Sequence, residues 1–414
     1  MKIIYFHQYF TTPKGSGGTR SYLIAKELVS CGHNVNMVCL NDSRSNTGLK
    51  SPFKKGVRVG FVEGIKITEI NINYSNHLNI FKRSLAFIKY SFICSFIVLR
   101  DNYDLAFASS TPLTIAIPGI ISKYFKRSKF IFEVRDLWPE LPKALGIIRN
   151  PIILFSLSAL EWFAYFSADL CIGLSPGICK GIQKKGISNK KIYMVPNSSD
   201  LNLFRPLDQD DFKKPYLIPE FGKYFNKDSF IAAFTGAHGI ANGLDSLLKV
   251  AIELKKRKRN DINLLFVGDG KCKENLIKDA KKNNLENCFF LSSIPKIELA
   301  KLLRESVHVG LMVLKNVPEF YDGTSPNKFF DYISCGLPII NNYPGWISKS
   351  IYEKNIGISV QPYDYSEFAD SLILLADNLK TYKRKSINAR RLAENYYSSK
   401  KLARSVRELL EKLT

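Results

Sequence analysis

The sequence predicts an α/β fold built from two doubly wound, Rossmann-like domains. Three observations predict it. Short apolar runs alternate with helical patterns from the first residues onward, the signature of βαβ units and a parallel sheet. The same alternation restarts near Phe230. Between the halves lies a polar, aperiodic stretch carrying Pro206, Pro215 and Pro219, which reads as a linker. A chain of 414 residues suits two domains.

In the first half, strands are expected over 2–6, 34–39, 66–70, 105–108, 130–134, 170–173 and 192–195. Helices are expected between them over 18–30, 81–99, 112–124, 151–166 and 177–184. In the second half, strands are expected over 230–235, 263–267, 288–291, 307–312 and 338–340. Helices follow over 245–257, 271–281, 297–303, 327–334 and 365–376, and one long helix over 382–413 closes the chain. The expected division is 1–205 with 390–414 returning to it, a linker over 206–228, and 229–389. Open α/β sheets bind ligands at the carboxyl ends of their strands, so a site is expected in a cleft between the two domains.

Composition narrows the chemistry. Hydrophobic residues make up 45% and charged residues 23%, which excludes a disordered chain. Lys and Arg total 60 against 37 Asp and Glu, a net charge of +23. Such an excess favours anionic partners: nucleic acid, anionic lipid or phosphorylated substrates. The basic residues are spread through both halves without a recognition motif, which argues against nucleic acid. The eight cysteines form no CxxC pair and read as buried thiols, not zinc ligands. MKIIYFHQYF enters a strand at once, so no signal peptide is expected, and no apolar run reaches spanning length. The stretch 81–100 mixes Lys82, Arg83, Lys89 and Arg100 with Phe, Tyr, Ile and Leu, the pattern of an interfacial helix on anionic lipid; an ordinary amphipathic helix is the competing reading.

Five segments are placed to carry chemistry. After strand one, Gly15, Gly17 and Gly18 precede a helix whose first turn holds Thr19 and Arg20. The glycines admit a close ligand, and Arg20 adds a cation at a helix N-terminus. A plain flexible loop competes with this reading. At the end of strand 130–134 stand Arg135 and Asp136, then Trp138 and Glu140; Asp136 is suited to orient or deprotonate a hydroxyl, or to hold Arg135. At the restart, Gly236, Ala237, His238 and Gly239 precede another helix, with His238 suited to bond a phosphate or a sugar hydroxyl. Gly268 and Gly270 form a GDG turn between strand and helix. The segment DGTSPNKFFDYISCGLP offers backbone amides at Thr324 and Ser325 for a phosphate, Lys328 for its charge and Asp331 for two ribose hydroxyls. No metal site is expected; Asp208–Asp211 reads as a solvated turn.

On these segments, together with PNSSD at 196–200, the chain resembles the GT-B glycosyltransferases of family 4. It is most similar to the O-antigen and capsule subgroup that includes L-fucosamine transferases. The resemblance implies two Rossmann-like domains facing each other across a cleft, the C-terminal one binding a UDP-sugar and the N-terminal one an acceptor, with the last helix crossing back. It implies a retaining transfer without metal or other cofactor, of an N-acetylated or deoxy amino sugar to a lipid-linked saccharide. The protein would then be cytoplasmic and peripheral to the inner face of the plasma membrane. Catalytic roles fall to Arg135, Asp136 and His238. Donor contacts fall to Gly17, Gly18, Arg20, Gly236, His238, Gly268, Gly270, Thr324, Ser325, Lys328 and Asp331. Four positions depart from the family pattern. The first Glu of its Glu-x7-Glu motif falls on Gly323. Its diphosphate-binding Arg and Lys fall on Ala237 and Asn242. Its strand-end His falls on Arg135. A UDP-sugar 2-epimerase shares the two-domain plan but needs carboxylates acting on the sugar ring, and the sequence shows no such cluster.

Overall fold

A computed structural model describes residues 1–42, 45–74, 80–207 and 229–413. Most of the expected linker, with Asp208–Asp211, therefore lies outside the described residues. The chain forms two compact units. One holds Met1–Asn197, Asp322–Ser325 and Ser399–Thr414; the other holds Ser198–Tyr321 and Pro326–Ser398. The divisions fall after Asn197 and Ser398, where the sequence suggested 205 and 389.

The first unit runs β1 (Lys2–Phe6), α1 (Arg20–Ser30), β2 (Asn34–Asp42), β3 (Val57–Val62), β4 (Ile65–Tyr74), α2 (Ile80–Arg100), β5 (Leu105–Ser109), α3 (Ala116–Lys126), β6 (Lys129–Val134), α4 (Glu140–Ala144), α5 (Pro151–Ser167), β7 (Leu170–Gly173), α6 (Pro176–Lys184) and β8 (Ile192–Met194). Its sheet has the order β3-β4-β2-β1-β5-β6-β7-β8. Only β3 is antiparallel to its neighbour. The sequence reading missed β3. It joins β4 through Glu63 and Gly64, both at positive φ (50° and 81°), as a two-residue hairpin turn requires. The central strands are largely apolar because helices cover both faces. α1 packs on the C-terminal helix on one side, and α2, α3 and α5 pack in succession on the other, as right-handed crossovers dictate. Asn150 caps α5 by accepting from the amides of Ile152 and Ile153, with Pro151 opening the first turn.

The second unit runs β9 (Phe230–Thr235), α7 (Asp245–Lys256), β10 (Ile262–Val267), α8 (Lys273–Lys282), β11 (Cys288–Leu291), α9 (Lys296–Glu305), β12 (Val309–Met312), α10 (Pro318–Tyr321), α11 (Asn327–Ser334), β13 (Ile339–Asn341), α12 (Trp346–Glu353), β14 (Gly357–Ser359), α13 (Tyr365–Asp377) and α14 (Leu379–Tyr396). Its sheet is wholly parallel, in the order β11-β10-β9-β12-β13-β14. The single helix expected over 382–413 is two. α14 ends at Tyr396, Ser398 bridges to Ser199, and α15 (Ser399–Glu411) then joins the first unit. A residue that pairs as a strand cannot also continue a helix, so the break follows from that bridge. In each sheet the strand order reverses beside the first strand, at β1 and at β9. The ends of those two strands are the switch points where such folds take ligands.

Candidate functional site

In the second unit, the backbone beyond β9 and β10 keeps running side by side after the strands end. The amide of Gly236 donates to Val267 O at 2.9 Å, and that of His238 to Asp269 O at 2.9 Å. The close approach demands glycine. Gly268 sits at φ +147°, and a Cβ there would fall 1.9 Å from Gly236 O. At Gly270, φ +155°, a Cβ would fall 2.6 Å from His238 O. Asp269 then ties the next turn. It accepts from the Lys273 ammonium at 2.8 Å and from the Ser293 amide at 2.7 Å. Burial raises its pKa, but these donors outweigh burial and hold it at about 2.

His238 is fully buried, and neither ring nitrogen has a hydrogen-bond partner. Burial, then the charge of Lys273, lowers its pKa to about 4, so the ring is neutral at physiological pH. It is therefore one N–H donor and one acceptor, not a cation. Lys328, in the first turn of α11, reaches toward the same loop. Its ammonium lies 3.9 Å from the Phe234 ring centroid and 3.4 Å from Asn242 Oδ1. Asn242 in turn donates to Ala237 O at 2.7 Å. No carboxylate pairs with Lys328 among the described ion pairs, and burial lowers its pKa to about 7. α11 is itself pinned to β9. Tyr332 OH takes the Thr235 amide at 2.8 Å and donates to Ala233 O at 3.1 Å.

Two expected donor contacts are corrected. Asp331 is buried, and both its oxygens are engaged: Oδ1 accepts from Ser199 Oγ at 2.9 Å and Oδ2 from the Lys296 ammonium. A two-hydroxyl grip on ribose needs a free carboxylate, so Asp331 is the counter-ion of Lys296. Arg20 is not a free cation at a helix N-terminus. Its guanidinium turns inward to Glu133 at 2.8 Å, to Val195 O at 2.9 Å and to Pro196 O.

The first unit gathers a second group at the ends of β1, β5 and β6. Glu133, fully buried, binds Arg20, accepts from Ser109 Oγ at 2.7 Å and lies 3.2 Å from Arg135 Nε. Burial alone would raise its pKa; the two arginines reverse that and lower it. Arg135 also donates to Ser109 Oγ at 2.8 Å, and its buried Nη2 has no partner. Asp136 accepts from Thr111 Oγ1 at 2.9 Å. Burial raises its pKa more than Thr111 and Arg135 lower it. Beside β1, His7 meets Ser21 Oγ at 2.7 Å, and the buried amide of Gln8 has neither atom bonded. Gly17 and Gly18 lie in the loop before α1, where a Cβ on Gly17 would fall 3.1 Å from the Thr11 methyl. Thr324 and Ser325 belong to this unit, where Ser325 Oγ accepts from the Asn197 amide at 3.0 Å.

The structure thus brings together Gly236, His238, Gly268, Gly270 and Lys328 in one unit, and Arg20, Arg135 and Asp136 in the other. Sequence reasoning missed Glu133, Lys296 and Tyr332 as organisers. Glu133 had a signal, a lone acid inside the apolar strand KFIFEV. Among the described residues no three His, Cys, Asp or Glu side chains are placed to share a metal ion.

Residues 220–392 match the model of the glycosyl transferases group 1 family. The match covers less than half of the chain. An uncharacterized glycosyltransferase of Methanocaldococcus jannaschii is 27% identical over 293 residues, which span 68% of this chain and 65% of that relative. Among solved structures, sucrose-phosphate synthase from Thermosynechococcus elongatus superposes with a TM-score of 0.72 at 15% identity, covering 100% of this chain and 98% of that one. Anabaena HepE, solved in complex with UDP-glucose, superposes at 0.70 and 14% identity, covering both chains fully (100% each). These likenesses establish the two-domain GT-B fold.

Proposed function

We propose that this glycosyltransferase moves a sugar, with retention, from a UDP-sugar bound by the second unit to a hydroxyl of a lipid-linked saccharide bound by the first. A bacterial surface polysaccharide of the O-antigen or capsule kind is the product class, and an N-acetylated or deoxy amino sugar the cargo. The observation that carries the reading is Lys328. The superfamily pattern puts a diphosphate-binding lysine at position 242, where this chain has asparagine. Here an ammonium without a carboxylate partner among the described residues arrives from α11 and bonds that same Asn242. The cation is supplied from another element to the loop where the family needs it.

In the reaction, the bond from the sugar's anomeric carbon to the diphosphate breaks, and its electron pair leaves with the phosphate. The acceptor oxygen takes the carbon and loses its proton. Negative charge grows on the leaving group, and Lys328 with the glycine-loop amides opposes it. Neutral His238 offers one donor without adding charge. Asp136, whose pKa is raised, is suited to receive the acceptor proton. HepE's complex with UDP-glucose favours uridine as the base.

The test is a thermal-shift screen with UDP, GDP, dTDP and ADP, run on the parent and on Lys328→Met. The reading expects UDP to stabilise the parent and the variant to lose about tenfold or more in affinity, since a hydrogen-bonded charge on phosphate contributes roughly 1.5–3 kcal/mol. Equal UDP binding by both proteins contradicts it.

A further inference from the structure

The outer surface of the first unit inverts ordinary helix patterning. α5 turns Glu161, Ala164 and Ser167 inward and leaves Ile152, Phe155, Trp162, Phe163 and Phe166 exposed. Phe155 is 76% exposed. Trp162 and Phe166 stack on each other at 5.1 Å in the open. α2 buries Phe87, Tyr90, Cys94 and Val98 and presents an unbroken stripe of Phe81, Leu85, Ile88, Phe92, Phe96 and Leu99. That stripe runs about 27 Å along the helix. Between these helices, the end of α3 adds exposed Tyr124 and Phe125, with Tyr124 stacked on Phe163. Fourteen of the 27 large apolar side chains exposed among the described residues sit on these three packed helices, so the clustering is not the scatter of an ordinary surface.

Charge selects the occupant. No acidic residue occurs over 80–100, 105–132 or 141–160. Exposed Lys89, Arg100, Arg127, Lys143 and Arg149 belong to these stretches. A protein partner would meet an apolar face; a bilayer of anionic lipid meets both the apolar face and the cations. Trp162 and Tyr124 are the residue types that settle at the headgroup level. No helix of the described residues is long and apolar enough to cross a membrane.

We propose that α2, the end of α3 and α5 form one docking platform for an anionic lipid bilayer. The sequence pointed only to α2; the structure supplies α5, whose exposed face carries Phe155, Trp162, Phe163 and Phe166. The inference stands apart from the transferase reading, because it needs no donor or acceptor.

The test is flotation of the full chain with phosphatidylcholine vesicles, with and without about a third phosphatidylglycerol, at low and moderate salt. The parent should float with anionic vesicles, bind pure phosphatidylcholine at least about tenfold less, and be released by salt. Trp162 fluorescence should shift blue on binding. Phe155→Ser with Trp162→Ser should weaken vesicle binding by about tenfold or more, as should Phe92→Ser with Phe96→Ser. All four sites are exposed, so melting temperature and UDP binding should stay at parental values. That separates loss of the platform from loss of the fold or failure of the donor reading. The inference is overturned if the parent ignores anionic vesicles. It is also overturned if the α5 variant floats as the parent does, or if the face buries itself in a dimer that the same substitutions split.

Discussion

At the residue scale, charge placement separates structure from chemistry. Glu133 is a buried carboxylate held by Arg20 and close to Arg135. Removing it leaves two guanidinium groups without their counter-ion, so Glu133→Ala should cost about 3–5 kcal/mol in urea unfolding. A near-neutral change would mean that those arginines find water instead. Lys328 stands at the other extreme, a cation with no carboxylate partner among the described ion pairs. Its pKa of about 7 lies below the ordinary lysine value, and a bound diphosphate must raise it. Binding therefore takes up a proton between the free and bound values. Affinity for a UDP-sugar, whose diphosphate diester does not itself titrate here, should be full below pH 7. It should fall by up to about tenfold per unit above it. Calorimetry across pH 6.5–9 reads this directly, and a flat profile excludes Lys328 from the contact. The residue types of this group were legible in the sequence; their partners were not. Arg20 and Asp331 looked like ligand-facing charges because strand ends and helix starts usually face solvent. Glu133 and Lys296, distant in sequence, turn both into internal ties.

At the element scale, the strand-end loops depend on glycine for contact between backbones. Gly268→Ala would push a methyl to 1.9 Å from Gly236 O. It should destabilise the second unit by about 1–3 kcal/mol or more and abolish nucleotide stabilisation in thermal shift. Retained UDP binding would show that the loops part without consequence. Alternating apolar and helical patterns made nearly every element readable, since parallel strands are apolar along their whole length. β3 escaped because its turn is Glu63–Gly64, and glutamate is not a turn-forming signal. The break before α15 escaped because YYSSKK carries neither proline nor glycine; the bridge from Ser398 to Ser199 decides it.

At the scale of the whole molecule, the two units divide the chemistry. The second concentrates glycine loops, a neutral histidine and a cation, Lys328, without a carboxylate partner among the described residues. The first concentrates a buried charge network at the carboxyl ends of its central strands and an apolar, acid-free helical face. The net charge of +23 signalled anionic partners without saying which. In the two proposed readings, that signal divides between Lys328 for a phosphate and the helical platform for lipid. The central claim is that the β9 and β10 loops with Lys328 hold a nucleoside diphosphate. Titration calorimetry of UDP-glucose into the parent and Lys328→Met at pH 7, with Phe155→Ser plus Trp162→Ser as a control, tests it most directly. The account predicts saturable binding by parent and control, with at least about tenfold loss in Lys328→Met. Binding of equal strength in all three proteins, or in none while another nucleotide sugar binds parent and Lys328→Met alike, would contradict it.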